Sequence, residues 1–460
     1  MTEFKNKRSV LTATTIGTFL IPYGASSVNI ALPAMGSDLK MNAVLLSWVG
    51  TLYLLSAAIF LVPFGRLGDI FGRKRVFFWG IVISTIASVF KAFSSSVPFL
   101  LIMQVIHGVG AAMVFATAVA IVTSIYPPNQ RGQILGLNVA SAYLGLSLGP
   151  VIGGILTQYW GWRSVFLSNV PFGLFIIILV LYKIKTDWAE ASGESFDITG
   201  SLIYGIGLAI MMYGVSRLPA VSGLLISFTG LSTMAFFLIY EARTTSPVLH
   251  IGLFRGNVVF TFSNIAALIN YSATHAVVFL LSLYLQYIRG MNPQKAGLIL
   301  FAQPLIMAFF SPLAGKLSDR FEPRIVASLG MAINVIGLIV FAFIDADTAI
   351  SSIIFTLLIL GTGFALFSSP NTSAAMGSVQ SRYYGIASAT IGTMQLLGQM
   401  LSMAISTLIF TVQIGDIQIT SERSQLFLIG LRSAFFIFAG VCAIGVLASY
   451  ARGKVRHSDT

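Results

Sequence analysis

The chain has 460 residues, of which 56% are hydrophobic and only 9% charged, and its mean hydropathy is +0.88. A water-soluble fold cannot cover that much apolar surface, so the composition excludes soluble enzymes and soluble binding domains and requires a polytopic membrane protein. The formal charge of +12 comes from Lys and Arg scattered among short loops, which reads as contact with anionic membrane lipids, and no nucleic-acid partner is expected.

A membrane span needs about 20 mainly apolar residues to cross a hydrocarbon core of ~30 Å. Fourteen such stretches lie between charged or Gly- and Pro-marked breaks. The first six run over Val10–Leu32, Leu45–Phe64, Val76–Phe93, Pro98–Ile121, Gln133–Thr157 and Val165–Tyr182. Two more follow, Ile198–Val215 and Val221–Tyr240. The last six are Val258–Leu285, Ala296–Leu313, Ile325–Ile344, Ile350–Ser369, Ile386–Phe410 and Leu426–Tyr450. The predicted organisation is all-α, six plus two plus six: a first half over residues 1–186, two linking helices over 187–256 and a second half over 257–460. The first stretch is longer than a signal-peptide core and has no small-residue cleavage site, so it reads as a retained span.

With fourteen spans both termini share one side. That side receives 19 of the 27 Lys and Arg, among them the cluster Arg66 to Arg75. The other side receives 8, including Lys91. Positively charged loops are held in the cytoplasm, so both termini are expected there and the protein in the cell membrane.

Two loops repeat. Gly65-Arg66-Leu67-Gly68-Asp69-Ile70-Phe71-Gly72-Arg73-Lys74-Arg75 follows the second span, and a degenerate copy, Gly315-Lys316-Leu317-Ser318-Asp319-Arg320, follows the tenth. Glycines at 65, 68 and 72 permit a tight turn, while Asp69 can face a helix N-terminus or an Arg, contacts that break and reform if two halves rock. In the fifth span, Gly145, Gly149, Pro150, Gly153 and Gly154 allow close helix approach and a kink.

The loop over Gly65 to Arg75 resembles the signature of the major facilitator superfamily, and the Gly145–Gly154 run resembles the exporter motif of its drug antiporters. Val28-Asn29-Ile30-Ala31-Leu32-Pro33 resembles the end of the first helix of the fourteen-span drug:proton antiporter family. The resemblance covers the chain end to end and implies fourteen helices, alternating access and proton-coupled efflux of lipophilic or amphipathic compounds, including drug resistance. It also implies gating roles for Gly65, Gly68, Asp69, Gly72, Arg73, Gly315, Asp319 and Arg320.

The chain departs from that family where protons are handled. The first-helix Asp is replaced by Gly24, the fourth-helix Arg by Gln104 and a thirteenth-helix Arg by Gln395. All fifteen carboxylates lie in termini, loops or helix ends. What remains at membrane depth is polar and neutral. On the ninth span Asn264, Tyr271, His275, Ser282 and Gln286 share a sector, and on the thirteenth Ser388, Gln395, Gln399, Ser402 and Ser406 do the same. These two stripes, with Asn29, Gln104, Asn138 and Asn371, are read as lining a substrate cavity, although any single one can serve as an interhelical hydrogen bond. Histidine is the side chain whose ordinary pKa lies near neutrality, so His275 and His107 are the candidate proton carriers.

The single Cys442 and the absence of a His and acid cluster argue against a metal site. No phosphate-binding glycine loop of the ATPase type is present, no cofactor is implied and an enzymatic role is the least expected. Rival readings are a facilitator or exporter of a neutral or anionic metabolite, and a membrane sensor that binds a small molecule without moving it.

Overall fold

In lipid a backbone has no water to bond, so long apolar runs satisfy their N–H and C=O groups within helices. A computed structural model describes residues 2–41, 43–218, 220–291, 293–414 and 424–453, and contains no strand among them. Of the charged residues counted above, Arg423, Lys454, Arg456, Asp416, Glu422 and Asp459 lie outside the described residues.

The helices, in order, are α1 (Thr2–Asp38), α2 (Ala43–Phe71), α3 (Arg73–Ala92), α4 (Val97–Ile125), α5 (Pro128–Trp160), α6 (Arg163–Leu167) and α7 (Asn169–Lys183). A hairpin of α8 (Ile198–Ser216) and α9 (Val221–Glu241) comes next. The remainder are α10 (Val258–Thr274), α11 (Ala276–Leu283), α12 (Pro293–Leu300), α13 (Ala302–Arg320), α14 (Pro323–Ala342), α15 (Ile350–Gly377), α16 (Tyr384–Ile414) and α17 (Ser424–Ala451). Local chemistry sets several ends. Asp197 caps α8 by accepting from Gly200 N at 2.9 Å, and Asn257 caps α10 by accepting from Phe260 N at 3.0 Å. Gly72, at φ 111°, is the single residue between α2 and α3, and that backbone disfavours any side chain.

Twelve helices among the described residues are long and apolar enough to cross a membrane. The expectation of fourteen is thus met for twelve. The other two long helices, α1 and α16, have 37 and 31 residues, but Thr, Ser, Gly, Asn and Gln lower their apolarity. Both pack inside the bundle rather than at its edge: α1 lies on α5, α4 and α7, and α16 on α10, α2 and α4.

The helices before the α8–α9 hairpin, α1 to α7, here called the first bundle, and those after it, α10 to α17, the second, pack on each other along α5 with α13, α2 with α16 and α4 with α16. The α8–α9 hairpin leans on α2. It presents Leu202, Val221, Leu225, Phe228 and Leu231, all well exposed, while the buried set contains Asn, Gln, Ser and Thr throughout. An apolar exterior, with the polar side chains held inside among apolar core clusters, is the arrangement a hydrocarbon solvent imposes.

Candidate functional site

The end of the bundle that carries both repeated loops is locked by two matching caps. Asp69, fully buried near the end of α2, accepts hydrogen bonds from Gly385 N at 2.8 Å and Ile386 N at 3.0 Å, the first turn of α16 in the other bundle. Asp319, near the end of α13, accepts from Gly132 N at 2.8 Å and Gln133 N at 2.9 Å, in the second turn of α5. Asp69 supplies charge to a helix N-terminus across the interface, where unsatisfied N–H groups and the helix dipole both favour an anion, and Asp319 binds two successive N–H groups one turn further into α5, still near its positive end.

Arg73, also fully buried, holds the first cap in place. It donates to Asp69 Oδ1 through Nε at 2.9 Å and Nη2 at 2.6 Å, to Ser124 Oγ at 2.7 Å and to the carbonyl of Ser381. Its guanidinium lies 5.3 Å from the Tyr384 ring centre. Glycines set the approach. A Cβ on Gly385 would stand 2.7 Å from Asp69 Oδ1, one on Gly65 2.6 Å from Gly385 O, and one on Gly132 2.6 Å from Asp319 Oδ1. Gly315 lies against the Gly132 carbonyl, Gly68 against Thr117, and Arg320 closes α13 at the same end.

The hydrophilic segment after α7 lies across this lock, which sequence reasoning missed. Glu194 takes Arg66 from the first bundle and Arg382 from the second, and Glu190 takes the Ser381 hydroxyl. Trp188 O accepts from Arg73 N at 3.0 Å, and Ala191 N donates to Asp69 O at 3.0 Å. Asp187 Oδ1 accepts from Lys74 N at 3.0 Å. The hydrogen bond from Arg66, with that from Arg382, holds the Glu194 carboxyl below the usual carboxylate range against partial burial. Acids at 187, 190 and 194 opposite a basic loop were the available signal.

The glycine run of α5 packs on α1. A Cβ at Gly145 would lie 3.1 Å from Tyr23 N, at Gly149 2.9 Å from Tyr23 O, and at Gly153 2.9 Å from Ser27 Cα. Gly154 meets α1 only loosely, with Ile30 at 3.8 Å, and Pro150 sits inside the helix between these contacts.

The polar stripes divide into bonded and open members. Asn264 donates to Phe260 O at 2.8 Å, Asn371 to Ser263 O at 3.0 Å, and Asn138 accepts from Thr18 at 3.3 Å; all three are buried. Ser402 accepts from Ala276 N at 2.9 Å and so caps α11, and Ser406 bonds back to Ser402 O at 2.9 Å. By contrast Asn29 and His275 are exposed, and Tyr271, Gln286, Gln395 and Gln399 partly so. His275 marks the junction of α10 and α11. Tyr143 of α5 and Tyr271 of α10 stand edge-on to Phe364 of α15, with ring centres 5.8 and 5.1 Å away. This aromatic set spans the two bundles.

One correction concerns Lys91, assigned above to a loop. It belongs to the last turn of α3 and is fully buried: Nζ lies 2.7 Å from His107 Nδ1 and 3.0 Å from Gln104 Oε1, and 4.6 Å from the Phe166 ring centre. The long stem carries the charge inward from a helix end. Gln104 and His107, predicted as cavity and proton residues, are therefore brought together by a residue the sequence reading placed elsewhere. Gly24, at the position of the missing Asp, is buried with its Cα side facing Asn169 Oδ1.

The family model described as Major Facilitator Superfamily matches residues 14–403 and 263–459. The chain is 30% identical over 443 residues to the riboflavin transporter RibZ of Clostridioides difficile (strain 630), covering 96% of this chain and 97% of the relative. It is 28% identical to the multidrug resistance protein Stp of Mycobacterium tuberculosis (strain CDC 1551 / Oshkosh), covering 87% and 75%. Among solved structures, a double-tryptophan mutant of XylE superposes with a TM-score of 0.71 at 16% identity, over 96% of this chain and 94% of that one.

Proposed function

The chain belongs to the Major Facilitator Superfamily and is a multi-pass membrane transporter, and from that premise we propose that it exports lipophilic or amphipathic small molecules by proton-coupled alternating access. In this reading α1 and α16 also span, which makes fourteen helices. Residues 1–186 and 257–460 are the two rocking halves, 187–256 the linking pair, and both termini face the cytoplasm of the cell membrane. The observation that carries it is the pair of reciprocal caps, Asp69 on α16 and Asp319 on α5. Both lie at one end, both join the two halves, and both must break for that end to open.

The glycines of the two loops serve the gate, and the Gly145–Gly154 run holds α5 on α1. Asn29, Tyr271, His275, Gln286, Gln395 and Gln399 are the open polar lining against which a substrate is placed, with Tyr143, Tyr271 and Phe364 as its aromatic wall. Gln104, Asn138, Asn264 and Asn371 support that lining through their bonds. His107 and His275 are the proton carriers of the proposal. Multidrug resistance in the name of Stp agrees with export.

A flat heteroaromatic metabolite is the second reading, favoured by the riboflavin transporter as a relative at 30% identity. Proteoliposomes with an imposed pH gradient test both, with ethidium and riboflavin as probes. Ethidium-dependent proton movement is expected. Ethidium exchange without proton movement overturns the coupling, and movement of riboflavin alone replaces the drug reading with the second.

A further inference from the structure

Lys91 is a fully buried amino group in the last turn of α3 for which, among the described residues, no carboxylate stands within ion-pair distance. The groups that contact it are uncharged side chains. From α4 come His107 Nδ1 and Gln104 Oε1, from α6 the face of Phe166, and from α2 the Tyr53 ring, 5.2 Å from that of His107. The charged residue of α6, Arg163, pairs with Asp38 at 2.6 Å. Those of α2 and α3 otherwise lie at the loop end, in the lock. An uncompensated buried charge is expensive, and a structural contact would be made more cheaply by an apolar residue.

We propose that Lys91 and His107 form a single proton-loading pair, which replaces the carboxylate absent from this membrane core. The proposal rests on the proton-coupled reading above. When the pair is empty, Lys91 is an amine, and His107 carries its one ring proton on Nδ1 and donates it to Nζ. Nε2 then offers a lone pair at a partly exposed imidazole. A proton arriving at Nε2 lets the Nδ1 proton pass to Nζ, which leaves an ammonium donating back to Nδ1 and the ring proton on Nε2. One proton is gained, only N–H bonds form and break, and nothing is oxidised. A second proton would put two cations 2.7 Å apart, so the pair stops at one.

Gln104 Oε1 and the Phe166 face stabilise the loaded form, one by a hydrogen bond and the other by its quadrupole. The pair switches between neutral and +1, where a carboxylate switches between −1 and neutral. The change is the same, so a cationic substrate is repelled by the loaded pair and accepted by the empty one, which is the exclusion that antiport requires.

The test compares the full-length protein with Lys91→Met, Lys91→Arg and His107→Gln in proteoliposomes. The readout is the ratio of gradient-driven ethidium uptake to ethidium exchange without a gradient. That ratio is expected to fall about tenfold or more in all three, within the usual range of coupling between sites. Arg fails with Met because a guanidinium keeps its proton. Restoration of the ratio by Lys91→Arg, or its survival in Lys91→Met, overturns the pair while leaving antiport standing. Equal loss of both activities in Lys91→Met with full recovery of both in Lys91→Arg makes Lys91 structural and also overturns it. Absence of proton movement in the unsubstituted protein overturns the reading on which the pair rests.

Discussion

Asp69 and Gly385 are 316 residues apart in the chain and joined by a 2.8 Å hydrogen bond at the mouth of the closed end. The bond is doubled at Ile386 and mirrored by Asp319 on Gly132 and Gln133. Two carboxylates of one repeated loop therefore cap the two helices that the loops face, each from the opposite bundle. A lock of this kind releases as a unit, because each carboxylate either accepts from its pair of successive N–H groups or leaves both.

Asp69→Asn is expected to loosen the lock more than Asp319→Asn. It leaves the buried Arg73 without a counterion, a change of about 3–5 kcal/mol when a buried pair loses one partner. Ser388, buried beneath this cap, is a suitable reporter as Ser388→Cys, since the one native thiol, Cys442, is itself buried. Impermeant maleimide applied from the loop end should label it roughly tenfold faster or more in Asp69→Asn, for a shift of at least ~1.4 kcal/mol. An unchanged rate would show that the cap does not hold the end shut.

Gly385→Ala and Gly132→Ala should each reduce transport strongly, because the added methyl meets Asp69 Oδ1 at 2.7 Å and Asp319 Oδ1 at 2.6 Å. Gly154→Ala should behave as the unsubstituted protein, within about 0.5 kcal/mol of stability, since its nearest neighbour would be Ile30 at 3.8 Å. Side-by-side flux and thermal melting decide this. Equal tolerance at Gly385 and Gly154 contradicts the packing account.

The Glu194 clip gives a pH dependence with a definite sign. Its folded-state pKa is depressed below the ordinary 4.5, first by the Arg66 hydrogen bond. The clip's stabilisation is therefore fully present above that value and is lost as pH falls through the lower folded one. The difference in Tm between the unsubstituted protein and Glu194→Gln should be flat from about pH 8 to about pH 6 and shrink in acid below about pH 4. A difference that grows on acidification would reverse the assignment.

The stripe on α16 should separate into two kinds of residue. Ser402→Ala removes the cap on Ala276 N and should lower stability by about 1 kcal/mol with little change in apparent KM. Gln395→Leu and Gln399→Leu, both partly exposed, should raise KM for ethidium while leaving Tm nearly unchanged. Transport kinetics paired with melting curves distinguish these. A matched fall in Tm for Gln399→Leu would place it with the packing residues.

The sequence by itself determined the membrane class, the helices, the repeated loop and the missing carboxylates, because hydropathy and motif spacing are properties of neighbouring residues. The α8–α9 hairpin and the Gly72 turn follow from the same local signals. Tertiary structure alone decided which helix each Asp caps, that residues 184–197 cross the lock, and that Ser402 caps α11 while Gln399 stays open. Lys91 shows why. Along the chain it is a charge at the end of an apolar run, indistinguishable from a loop anchor. Its burial depends on where α4 sets His107 and Gln104 and where α6 sets Phe166. Such a site is a sum of separations between distant residues, fixed only when the helices pack.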